Sequence, residues 1–132
     1  MSTYKSGTTM PNILLNVDVN TIGVAATRAS KRLTGASGGG ISVAHSVDAT
    51  GDIKNSDIGA AASLSGNSLI IATLINLLGD KTERKTEFAG LSATYSLSGG
   101  DEGVKNFADA DLKLHNADYT RVTLVKSISL IP

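Results

Sequence analysis

Ser37 stands at the centre of Gly35-Ala36-Ser37-Gly38-Gly39, a run that fits the G-x-S-x-G pattern of a serine-hydrolase nucleophile elbow. Asp109 or Asp111 and then His115 follow in the chain order of an α/β-hydrolase triad. Such a set would let the imidazole take the serine proton while the carboxylate holds the ring, and so drive acyl transfer. An elbow, however, needs a strand before the serine and a helix after it. Here Ile22, Ala25, Ala26, Ala29 and Leu33 recur at offsets of three and four, which predicts a helix between Thr21 and Thr34 that ends at Gly35. Ile41, Val43, His45 and Val47 then alternate with polar or small residues, which predicts a strand. The order is reversed, and Ser37 follows a helix C-terminus, whose dipole disfavours an oxyanion. His115 shares the polar side of its own alternation with Lys113. A small serine hydrolase is therefore the third expectation, after a structural subunit and a nucleic-acid-binding module.

Metal and cofactor chemistry has less to draw on. The chain has no cysteine and only two histidines, with no H-x-x-x-H spacing, so neither a metal nor a cofactor is expected. Asp48, Asp52, Asn55 and Asp57 could gather oxygen ligands, but an EF-hand order is absent and a solvated turn accounts for them. Asp109 and Asp111 alternate onto one face of an expected strand, with no third group to divide acid and base roles between them. His45, on a strand face with Ile41, Val43 and Val47, is expected to be hydrogen-bonded in a core or interface. Neither a Walker loop nor a dinucleotide fingerprint precedes a helix.

Lys plus Arg equals Asp plus Glu at 12 each, so no global field steers the chain toward an anionic partner, and any such binding must be local. On the predicted helix, Arg28, Lys31 and Arg32 share one face. With Lys81, Arg84 and Lys85 they form the nucleic-acid-binding candidate, against which stand Glu83 and the lack of an interleaved aromatic for base stacking.

The elements that must carry these groups follow from periodicity. Residues 1–11 are polar and aperiodic and are expected to be a flexible arm, with a single α+β domain over 12–132. Ile13, Leu15, Val17 and Val19 alternate as a strand. The uncharged run from Ile58 to Leu78 is long enough to span a bilayer, but its asparagines, serines and glycines oppose insertion, so no span is expected and a short buried helix is predicted near 68–78. The final third alternates as antiparallel sheet, with Asn116 to Asp118 as a hairpin loop. The expected fold is thus α+β, an antiparallel sheet with one or two helices packed on a small-residue face offered by Ala89, Ala93, Ala108 and Ala110. An all-β sandwich or barrel is the alternative if residues 24–33 are extended.

The expected function is a non-enzymatic structural subunit of the virion, capsid, shell or filament type that forms homo-oligomers through sheet edges. The nucleic-acid module is the alternative. Self-association is assigned to Val122, Leu124, Ile128, Leu130 and Ile131 on a C-terminal strand expected at a sheet edge, where unpaired backbone groups invite another chain. The N-terminus has no apolar stretch of the signal-peptide kind, and a virion or cytoplasmic setting is favoured.

Overall fold

Alternation with a period of two runs through most of the chain, and in the computed structural model, which describes residues 2–8, 11–35 and 40–132, it produces ten strands and two helices. In chain order they are β1 (Ser2–Lys5), β2 (Asn12–Asn20), β3 (Val24–Leu33), β4 (Ile41–His45), β5 (Ile53–Ala60), α1 (Ala61–Leu64), β6 (Asn67–Asn76), α2 (Lys81–Gly90), β7 (Ser92–Gly100), β8 (Gly103–Ala108), β9 (Leu112–His115) and β10 (Arg121–Ile131). Sheet A has the order β1-β10-β6-β3-β4, with β9 also paired to β10; sheet B has the order β5-β2-β7-β8. The fold is mostly β, in two sheets that do not close into a barrel.

The inner faces of both sheets fill one core. Ile13, Leu15, Val17 and Val19 of β2 meet Ala93, Tyr95 and Leu97 of β7 on the sheet B side. Leu69, Ile71 and Ile75 of β6 and Val122, Leu124, Ile128 and Leu130 of β10 fill the sheet A side.

Residues 24–33 are a strand, not a helix. Ala25, Thr27 and Ala29 point inward and Val24, Ala26 and Arg28 outward, and small residues satisfy both a helical and an extended period, so the alanine spacing was ambiguous. The run near 68–78 is likewise extended: β6 lies between β10 and β3 and is apolar on both faces, which hid its period. The lysine- and glutamate-rich stretch 81–90, for which no helix was expected, forms α2. It starts at Asp80, whose side chain accepts from Glu83 N at 2.8 Å, and it contributes no buried residue. Both helices touch the core: α1 buries Ala61 and Leu64 in it and Phe88 of α2 is partly buried against it, while Ala89, expected on the small-residue face, lies on α2 itself.

The N-terminal segment, expected as an arm, holds β1. It pairs in parallel with β10, and the Tyr4 side chain is fully buried. Tyr4 Oη donates to Gly103 O at 2.5 Å and accepts from Gly100 N at 3.0 Å, which ties the edge of sheet A to the β7–β8 turn. Finally, β10 is not an edge strand. β6 lies along one side, while β9 covers residues 122–125 and β1 covers 128–131 on the other. Val122, Leu124, Ile128 and Leu130, assigned to self-association, are core residues, and only Ile131 among the five is exposed.

Candidate functional site

Strand pairing in sheet A builds an outward face whose residues can be read across the register. Leu114 of β9 lies opposite Thr123 of β10, Thr123 opposite Leu74 of β6, and Leu74 opposite Ala26 of β3. In the next row Leu112, Val125, Ala72, Arg28 and His45 follow one another from β9 to β4. Further along, Ser127, Ile70, Ser30 and Ser42 form a row, then Ser129, Ser68 and Arg32. One end of the face is therefore rich in leucine and the other in serine and arginine. Among the described residues no helix or loop covers the leucines: Leu74 is 61% exposed and Leu112 and Leu114 52% each.

Charge is partitioned between sheet A and the rest of the chain in a way that the neutral total conceals. The strands of sheet A hold seven of the twelve Lys and Arg residues and none of the twelve Asp and Glu residues. Among these cations Arg28, Arg32, Arg121 and Lys5 fall on the outward register. Lys113 turns inward to donate to Leu91 O at 3.1 Å, and Lys126 is buried. Lys31 alternates to the opposite side of β3 from Arg28 and Arg32, so the basic triplet expected on one face is split. Lys81, Arg84 and Lys85 lie on α2, a separate element. Arg84 is a clasp there, with Nε donating to Asp118 O at 2.9 Å and a terminal nitrogen donating to Gly79 O. The ring neighbours that the sequence did not reveal stand beside α2: His115 stacks on Tyr119 with centroids 4.0 Å apart, and Phe88 meets both edge-on.

Among the described residues, the acidic candidates are engaged in holding the fold. Ser37 lies outside the described residues. The strands that bracket it end where Leu33 pairs with Asn67, whereas His115 pairs with Val122, which pairs with Ile75. These are opposite ends of β6, roughly 25 Å apart at the ordinary strand rise. Asp48 accepts from Thr50 N at 3.0 Å, Asp52 from Val19 N at 2.9 Å and Asp57 from Gly59 N at 2.9 Å, so each carboxylate of the expected loop ties down backbone. No group of three His, Asp or Glu residues able to hold a metal occurs among the described residues. His45 is exposed rather than buried in a core, because a register shift between Ala29 and Ser30 turns its strand and leaves His45 facing outward opposite Arg28.

Asp109 and Asp111 do not share a strand face. Asp109 has φ 56° in the turn before β9. Asp111 fills the gap that β9 and β1 leave along β10: its N–H donates to Val125 O at 2.8 Å, Oδ2 accepts from Ser127 N at 2.8 Å and Oδ1 accepts from Lys126 Nζ at 3.1 Å. Partial burial opposes ionisation of Asp111, but the Ser127 amide and the Lys126 ammonium prevail and hold its carboxyl below the usual range. Tyr95 Oη is buried without a hydrogen-bond partner among the described residues. Its pKa is pushed up to about 12 by burial first and by the charges of Asp111 and Asp109 second.

Sheet B bears a depression of about 710 Å3 lined by Asn16, Asp18, Lys54, Asn55, Ser96 and Asn106, among others. Asn16 and Asn55 close on one another there, Asn16 Nδ2 donating to Asn55 Oδ1 at 3.2 Å and Asn55 N to Asn16 Oδ1 at 2.9 Å. No protein-family model, curated protein or solved structure matches the chain.

Proposed function

We propose that the protein is a non-enzymatic structural subunit that associates with copies of itself, as in a shell or filament. The observation that carries this is the leucine end of the outward face of sheet A. Leu74, Leu112, Leu114 and Val24 come from three strands, stand between 48% and 61% exposed, and have Ala26, Ala72, Val125 and one polar residue, Thr123, between them. Contiguous apolar surface of this kind marks an interaction site, since scattered exposed leucines need no explanation but a patch does. The route differs from the sheet-edge pairing expected from the sequence: β10 is satisfied on both sides, and a face-to-face contact uses side chains instead of ladder bonds. A second copy, turned by a two-fold axis, would present the same leucines in return.

Sedimentation velocity across the micromolar range tests this. The full chain is expected to sediment as an oligomer, and Leu74→Glu with Leu112→Glu as a monomer with an unchanged circular dichroism spectrum. A full-length chain that stays monomeric at the highest concentration overturns the proposal.

A further inference from the structure

We infer that the serine-arginine end of the same face is a docking surface for single-stranded nucleic acid, gripped through its phosphates. No strand of sheet A carries a carboxylate, and the Asp111 carboxylate at the border of β10 is engaged by Lys126 Nζ and Ser127 N, so a polyanion laid along β3 meets no repelling side chain of its strands. The outward cations of β3 are arginines, Arg28 and Arg32, whose planar fork matches a phosphate better than an ammonium does. They sit four residues apart on one strand face, about 13 Å at the usual rise, with Ser30 between them and Ser42 opposite Ser30 on β4. Guanidinium and hydroxyl groups in a row are the side chains that contact a sugar-phosphate backbone.

A second feature favours a nucleotide over a lipid headgroup. A hollow of about 280 Å3 opens in this part of the face, lined by Arg28, Ser30, Gly40, Ile70 and Ala72. It places a cation and a hydroxyl beside an apolar floor, the combination that accepts a phosphate next to the flat face of a base. A sheet face several strands wide does not enter a duplex groove, which admits a helix or a two-stranded ribbon, so a single strand is the form that fits. The candidate cations of α2 take no part, because Lys81, Arg84 and Lys85 lie on a helix that is not part of this sheet face. The two surfaces share only Ala72, and neither Arg28, Ser30 nor Arg32 belongs to the leucine contact, so this inference does not rest on it.

The test is fluorescence anisotropy of a labelled single-stranded uridylate RNA and a thymidylate DNA, titrated with the full chain at several salt concentrations. Binding that weakens with salt is expected for both. Arg28→Gln with Arg32→Gln is expected to weaken it roughly tenfold or more at low salt and to reduce the salt slope by about 1.4, the share of two phosphate contacts. Arg28→Lys with Arg32→Lys should recover part of the affinity, and Lys81→Gln with Lys85→Gln should leave it unchanged. Circular dichroism and sedimentation of each variant should match the parent, which separates this outcome from a failure of self-association. Absence of binding, equal binding by the Arg28/Arg32 variant, or binding to phosphatidylserine vesicles without binding to either oligonucleotide would overturn the inference.

Discussion

Lys126 Nζ lies 3.1 Å from Asp111 Oδ1, and the two ends of this ion pair occupy different media: the lysine side chain is 6% exposed and the aspartate 45%. Removing Asp111 leaves a buried ammonium without its counterion and Ser127 N without its acceptor. Asp111→Ala is expected to cost about 2 kcal/mol, less than breaking a fully buried pair because water already solvates the carboxylate. Lys126→Met, which fills the same space beside Phe107 with an apolar chain, is expected to be near neutral. Urea denaturation of both variants checks the asymmetry, and equal losses would contradict it.

The same carboxyl gives the protein an acid limb. Its folded-state pKa is depressed, so its contribution to stability is fully present above the unfolded value of about 3.9 and is lost as pH falls through the lower folded value. Asp111→Asn should flatten the fall in the urea midpoint between about pH 5 and about pH 2 relative to the parent. An unchanged slope in that window would show that the carboxyl titrates alike in both states.

Tyr95 sets the alkaline limb. The folded-state pKa of about 12 exceeds that of an unfolded tyrosine, so its contribution is intact below the unfolded value of about 10 and is lost as pH rises toward the folded one. Tyr95→Phe removes a buried hydroxyl without a partner and is expected to hold or raise stability at neutral pH by about 1 kcal/mol or less. It should also steady the protein in alkali. Thermal unfolding at neutral pH and at about pH 11 checks both statements; a marked loss at neutral pH would mean that the hydroxyl has a partner.

Thr27 and Thr73 face each other in register on β3 and β6, with their hydroxyls 2.8 Å apart in the core. Thr27→Val alone strands the Thr73 hydroxyl and is expected to cost about 1–3 kcal/mol, whereas the double change to valine is expected to be close to neutral. The sign of the coupling in a double-mutant cycle decides this, and additive losses would refute a mutual hydrogen bond.

Deleting Ser127 to Pro132 is expected to unfold the chain rather than merely dissociate an assembly. It removes the buried side chains of Ile128 and Leu130, and with them the partner to which β1 is paired. A folded, monomeric truncation product, seen by circular dichroism with light scattering, would contradict the interior placement of β10.

Strands whose outward residues are polar were legible in the sequence. The alternation of Ile13, Leu15, Val17 and Val19 specified β2 because Asn12, Asn16 and Asp18 contrast with them, and the same contrast marked β4 and the hairpin joining β9 to β10. Where the outward residues were apolar or small, the contrast vanished. Ala25, Ala26 and Ala29 fit two periods at once, and β6 carries Ile70, Ala72 and Leu74 outward as well as Leu69, Ile71 and Ile75 inward. The loss of period in β6 was itself the trace of the exposed apolar face. α2 escaped notice for the opposite reason, because a helix that packs Phe88 against the core but has no fully buried residue writes no apolar stripe, although Asp80 and Glu83 spelled its N-terminus.

The sequence by itself determined the charge total, the exclusion of thiol chemistry and the abundance of strands, all properties of composition and local period. Only the tertiary structure decided which strands lie beside which. That choice moved β10 from an edge to the interior, split Lys31 from Arg28 and Arg32, and gathered leucines from β6 and β9 onto one face. It also separated a neutral chain into a sheet without carboxylates and a remainder that holds them all. Pairing partners are set by which combination of faces buries the most apolar surface while leaving no ladder group unsatisfied, a condition on the whole chain that no single segment carries.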